Sequence, residues 1–145
     1  MVEPRKLSIV KPTLDTPFHI DFDWWRDHDR EWRVHLRGLL SPEIQEKYAD
    51  IINGDELIDW VDPETAEIQQ VDGLQHVVIT HSAHEEGFLD PHTALVEAVF
   101  RFLLINGNTP MTVVELGEGL NRDPKHLLRL LSGVRVYRGI RPIIV

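Results

Sequence analysis

Residues 112–142 read TVVELGEGLNRDPKHLLRLLSGVRVYRGIRP, and the fold turns on this stretch. Thr112 is followed three residues later by Glu115, the spacing of a capping box in which side-chain oxygens satisfy free helix N–H groups. It opens a short helix to Leu120. Asn121-Arg122-Asp123-Pro124 then forms a tight turn that ends in a second N-cap, with proline at the first helical position, where its missing N–H costs nothing. A further helix runs Lys125–Leu131 and stops at Ser132-Gly133. VRVY (134–137) and IRPIIV (140–145) read as two strands joined by Arg138-Gly139, a two-residue turn in which glycine takes a positive φ.

Upstream, Asp90-Pro91 is placed to cap an apolar helix from His92 to about Asn106. Its Ala94, Leu95, Ala98, Val99, Phe102 and Leu103 require burial. Helix, short helix, tight turn, helix and hairpin within residues 90–145 resembles the winged helix-turn-helix domain, at the level of the superfamily. The resemblance implies that the third helix enters the DNA major groove and that the wing touches backbone or minor groove.

The residues of the third helix fit that role independently. Leu127, Leu128 and Leu131 supply a buried face, while Lys125 and Arg129 lie together at i,i+4 with His126 beside them. In the wing, Arg135 alternates with the packed valines, Arg138 sits at the tip and Arg141 follows on the return strand. Guanidinium groups pair bidentately with phosphate or guanine edges. The candidate nucleic-acid contacts are therefore Lys125, His126, Arg129, Arg135, Arg138 and Arg141. The same architecture also docks proteins, because fold alone does not dictate function. Double-stranded DNA or a protein partner both remain open, with a small DNA-binding protein, a transcription regulator, as the first reading.

Before residue 90 the signals are more local. Residues 1–17 carry Pro4, Pro12 and Pro17 and read as an extended arm. Residues 18–89 form an acidic, mainly helical region with a small hairpin. Trp25, Trp32, Leu36 and Leu39 recur at helical spacing and predict one helix from Asp23 to Leu40. Arg26, Arg30, Arg33 and Arg37 fall on one side of that helix, a secondary face for an anion or partner, with Asp29 expected to pair with Arg33. Ser41-Pro42 starts a second helix to about Ile52. Leu57–Val61 and Glu67–Val71 flank an Asp-Pro turn and suggest a hairpin. Asp72 can cap a helix through LQHVVITHSAHEE. The fold class expected is mainly α with small β-hairpins, the helical N-terminal part leading into the winged helix-turn-helix.

Charge divides unevenly. The chain carries 15 basic and 24 acidic residues, net −9, but residues 107–145 hold six basic and three acidic groups while residues 1–106 hold nine and twenty-one. A basic contact module of +3 thus follows an acidic body of −12. The body is suited to dimerisation, to partner binding or to setting orientation. The total of 145 residues contains no cysteine, which excludes disulfides, Cys-ligated zinc, iron–sulfur clusters and thiol nucleophiles. The apolar segment ALVEAVFRFLLI is 12 residues long and holds Glu97 and Arg101, too short and too charged to span a bilayer. A cytoplasmic protein is expected. His81, His84 and His92 lack the spacing of a metal motif, Ser82 lies in no nucleophile elbow, and no phosphate-binding glycine loop occurs. No metal, cofactor or enzymatic activity is expected.

Overall fold

Three strands distant in sequence meet in one sheet. The computed structural model describes residues 11–54, 57–62, 64–133 and 135–144. Residues 1–10 of the expected arm and Val134 of the expected wing lie outside them. Strand β1 (Pro17–Ile20) occupies the centre, with β4 (Met111–Thr112) on one side and β5 (Ile140–Pro142) on the other, both antiparallel. Phe18 faces Met111 and Pro142, and Ile20 faces Ile140. Phe18 and Ile20 are buried, so the residues between the expected arm and the expected Asp23 helix, to which the sequence assigned no element, form the spine of the sheet.

This pairing replaces the expected wing. The turn forms as read: Arg138 and Gly139 both take positive φ, and the Ile140 N–H donates to the Tyr137 carbonyl at 2.9 Å. The hairpin does not, because Arg135, Val136 and Tyr137 are not in a strand and Ile140–Pro142 pairs with β1 instead. Gly139 permits it. A Cβ there would lie 2.9 Å from Cβ of Trp25 and 3.0 Å from the Asp21 carbonyl, and the Asp21 N–H donates to the Gly139 carbonyl at 2.7 Å.

The N-terminal helix is two helices, α1 (Phe22–His28) and α2 (Trp32–Arg37). Asp29 breaks it: its carboxylate accepts from the Glu31 N–H at 2.9 Å and from Trp25 Nε1 at 3.0 Å, a local alternative to continuing the helix. Asp29 therefore does not pair with Arg33, which reaches Asp72 at 2.6 Å. The backbone bond from Glu31 holds the Asp29 carboxyl below its usual range against the opposing effect of burial. Trp25 still packs edge-on against Trp32 and Phe100, at 6.1 and 5.6 Å between ring centroids.

Ser41 caps α3 (Pro42–Lys47), and α4 (Ala49–Ile52) follows after Tyr48. The hairpin β2 (Leu57–Val61) with β3 (Ile68–Asp72) forms a separate two-stranded sheet, displaced by one residue on its return strand from the sequence reading. Asp72 caps α5 (Gly73–Thr80) as expected, accepting from the Gln75 N–H at 3.1 Å, but the helix ends at Thr80 instead of running on to Glu86, and a single 3-10 turn, Ser82–His84, follows it.

Helix α6 (Leu95–Ile105) starts three residues later than expected. Asp90 makes a turn of its own, accepting from the His92 N–H at 2.7 Å, instead of capping the helix. Thr112 and Glu115 complete the capping box of α7 (Val113–Leu120), and Asp123 caps α8 (Pro124–Leu131). Leu103, Leu104, Val113, Leu116 and Leu127 join Phe18, Trp25, Leu36, Val77 and Ile140 in one buried cluster. Phe102 and Leu131 pack against its edge; Val136, expected in the same core, is half-buried and is not among the residues packed on it. Among the described residues the protein is mixed, with eight α-helices and two small antiparallel sheets.

Candidate nucleic-acid interface

Helix α8 is held by its cap and its leucines, which leaves one face to solvent. Pro124 at the first position and the Asp123 carboxylate, bonded to the Lys125 N–H at 3.1 Å, fix its start. Leu127 is fully buried, with Leu128 and Leu131 half-buried beside it. Lys125, His126 and Arg129 consequently stand exposed on the opposite side.

The turn before α8 is as tight as the sequence suggested, and Gly117 explains how. A Cβ at Gly117 would lie 2.5 Å from the Arg122 carbonyl oxygen and 3.3 Å from the Pro124 ring. The Arg122 N–H returns to the Gly117 carbonyl at 2.8 Å, and Asn121 takes the left-handed conformation at φ 56°. Arg122, in that fold-back, is exposed and borders a hollow with Asp90, Pro91 and Leu95. Arg122 is not among the six contacts expected from the sequence. Its signal was its place directly before Asp123-Pro124, where a turn residue must face outward.

The six expected contacts divide into two sets. Lys125, His126, Arg129 and Arg135 are exposed, and among the described residues Lys125, Arg129 and Arg135 form no ion pair, nor does Arg122. Arg138 and Arg141 are instead paired with carboxylates. Arg138 donates to Glu97 at 2.8 Å and lies over the rings of Tyr137 and Phe100, at 5.1 and 5.7 Å from their centroids. Arg141 donates to Asp21 at 3.2 Å and lies over Trp24 at 5.3 Å. Glu97 is the centre of a network that the sequence did not reveal: it also accepts from Arg101 Nε at 2.7 Å and from the Tyr137 hydroxyl at 2.6 Å. Burial, with the hydrogen bond to Glu97 and its charge behind it, pushes the Tyr137 phenol up to about 12.

The four arginines of the N-terminal helices do not make one face. The break at Asp29 puts Arg26 and Arg33 on different helices, and each has its own carboxylate: Arg26 pairs with Asp23 at 2.7 Å and Arg33 with Asp72. Arg33 also donates to the carbonyls of Ile52 and Gly54, and Arg37 donates to that of Ile52 at 3.3 Å. These bonds tie α2 to the end of α4 and to the hairpin. Arg30, between the two helices, is exposed.

His81 stacks on Tyr48, 4.3 Å between centroids, and the two share a 3.4 Å hydrogen bond; His84 lines the same surface hollow with Glu43. His92 is exposed in the Asp90 turn. Among the described residues no group of three or more His, Asp or Glu side chains is gathered that could hold a metal ion. No described helix is long and apolar enough to cross a membrane. No protein-family model, no curated protein and no solved structure matches the chain.

Proposed function

We propose that the protein binds double-stranded DNA, without catalysis, through the exposed face of α8 and the arginines at either end of it. The observation that carries this reading is the division of the basic groups. Two arginines are occupied by Glu97 and Asp21, whereas Lys125, Arg129, Arg122 and Arg135 are exposed without a carboxylate partner among the described residues. Exposed cations gathered on and around one capped helix suit phosphate contact, and the release of condensed counterions supplies the affinity. His126 is exposed beside Arg129 on the flank of the same face. The helix–turn–helix of α7 and α8 supports the reading by analogy with the winged helix-turn-helix superfamily, though here β5 pairs with β1 and no wing hairpin forms among the described residues. A role in transcription regulation extends this proposal.

The test is anisotropy of a labelled random-sequence duplex across a salt series. With four cations engaged, log K should fall with log salt at a slope of about −3 to −4. The double variant Lys125→Ala/Arg129→Ala should bind at least about tenfold more weakly, with a slope shallower by about two. No binding at low salt would overturn the proposal.

A second reading, a protein docked on the same face, is favoured by Val114 and Leu130. These residues of α7 and α8 are 44% and 38% exposed, more apolar surface than phosphate contact requires. Failure to bind any duplex would favour it.

A further inference from the structure

Three of the large apolar side chains most exposed to solvent lie on a single hairpin. Leu57, Val61 and Ile68 are 54%, 56% and 69% exposed. The register puts them on one face: Val61 is directly across from Ile68, Asp59 across from Gln70 and Leu57 across from Asp72. Side chains alternate along a strand, so Ile58, Trp60, Gln69 and Val71 take the other face. Trp60, Gln69 and Val71 there line a hollow against α5. Among the described residues the Val61–Ile68 end of the outer face has no covering element, whereas Leu57, Gln70 and Asp72 at its other end line a hollow with Phe22, Asp23 and Arg26 of α1. The sheet has only two strands, so each has an edge that pairs with no described strand. Apolar residues of this size are normally kept off a free sheet edge, because they invite pairing with another chain.

The charge around this face indicates what it accepts. Between Asn53 and Gln75 the chain holds seven carboxylates and no Lys, Arg or His. Asp72 is used by Arg33, and Asp62 is used in its own turn, accepting from the Glu64 N–H at 2.8 Å. Asp59, Glu64 and Glu67 are exposed and form no ion pair among the described residues. A second copy of the chain would bring the same carboxylates against these, which like-charge repulsion opposes. A chain carrying Lys or Arg in alternation with apolar residues would meet an apolar stripe and an acidic border together.

We propose that the β2–β3 hairpin is a docking site for an extended, cationic segment of another protein, which adds to the sheet as a strand. Its main chain would bond to a free edge, its apolar residues would lie beside Val61 and Ile68, and its cations, alternating onto the other face, would meet Glu67 and the turn carboxylate Glu64. This surface is separate from α8 and does not rest on the DNA proposal.

The probe is a fluorescein-labelled peptide of alternating lysine and valine, with a lysine–serine peptide of equal length and charge as control. At physiological salt the full-length protein should bind the first at least about tenfold more tightly than the second, since only the first buries apolar surface. Val61→Ser/Ile68→Ser should abolish that difference, and Glu64→Gln/Glu67→Gln should weaken binding several-fold, both with unchanged circular dichroism. If the first pair perturbs folding, Leu57→Ser gives the same comparison at the other end of the face. Lys125→Ala/Arg129→Ala should leave peptide affinity unchanged, so this inference and the DNA proposal fail separately. Equal affinity for the two peptides, no binding, or wild-type binding by Val61→Ser/Ile68→Ser would overturn the proposal. So would a dimer in sedimentation that this variant dissociates, which would assign the face to a second copy.

Discussion

The side chain of Asn108 takes the place of a strand beside Ile20: its Nδ2 donates to the Ile20 carbonyl and its Oδ1 accepts from the Ile20 N–H, both at 2.8 Å. Asn108 follows α6 with φ 58°, a conformation asparagine tolerates better than most residues. One amide thus satisfies both backbone groups of a central-strand residue where β4 has ended. Asn108→Ala should leave that donor and acceptor unmet and lower stability by about 2 kcal/mol. Asn108→Asp, which keeps the acceptor and loses the donor, should also destabilise. Chemical denaturation of the two variants measures both.

Glu97 holds Arg101, Arg138 and Tyr137 at once. Its removal strands two guanidiniums that are each about a quarter exposed. Glu97→Ala should therefore cost about 2–4 kcal/mol, more than loss of an exposed pair. A melting temperature within a degree of wild type would contradict the network.

Tyr137 gives a pH signature on the alkaline side. Its phenol holds its proton up to about 12 in the folded protein, against an unfolded value near 10. A raised folded-state value contributes stability that is present in full below about pH 10 and is lost as pH rises towards 12. Tyrosinate absorbance should show one late titration that Tyr137→Phe removes, and the alkaline fall in melting temperature should be shallower in that variant.

Arg129 and Arg138, both candidates from the same stretch of sequence, should separate cleanly. Arg129→Ala should weaken duplex binding and keep stability within about 0.5 kcal/mol, as exposed positions do. Arg138→Ala, which loses Glu97 and two aromatic faces, should cost about 2 kcal/mol. Its effect on binding at a temperature where it is fully folded should be small.

Gly117→Ala should disturb the turn between α7 and α8. The new methyl would press on the Arg122 carbonyl, a backbone atom with no rotamer to yield, at a cost of about 1–3 kcal/mol. Duplex binding should fall as well, since Arg122 and the start of α8 move with that carbonyl. Unchanged stability and binding would show that the turn has slack.

Much of the helical framework could be read directly. The Thr112–Glu115 capping box, the Asp123-Pro124 start of α8, the Ser41 and Asp72 caps and the β2–β3 hairpin all form. Each depends on groups within a few residues of one another, so composition and spacing carry the whole interaction. The break at Asp29 was also local, yet it was hidden, because the tryptophan and leucine periodicity continues through it on both helices. The periodicity reports which face is buried and not whether the backbone is continuous.

Strand pairing was decided elsewhere. Within the sequence, IRPIIV has an adjacent partner in VRVY, and the Arg138-Gly139 turn between them is formed. The strand pairs instead with Pro17–Ile20, some 120 residues away in the chain: Arg141 of β5 bonds Asp21 at the end of β1 across that separation. Burying Phe18, Ile20 and Ile140 together against the helices favours that choice, and the gain depends on where α1 and α6 place their aromatic rings. The same choice paired Arg138 and Arg141 with Glu97 and Asp21 and left Lys125, Arg129 and Arg122 to solvent. Amino-acid type and spacing therefore determined the caps, the turns and the basic character of residues 107–145. Only the tertiary structure decided which of those cations are free, because an arginine's partner is set by what packing brings within reach of it.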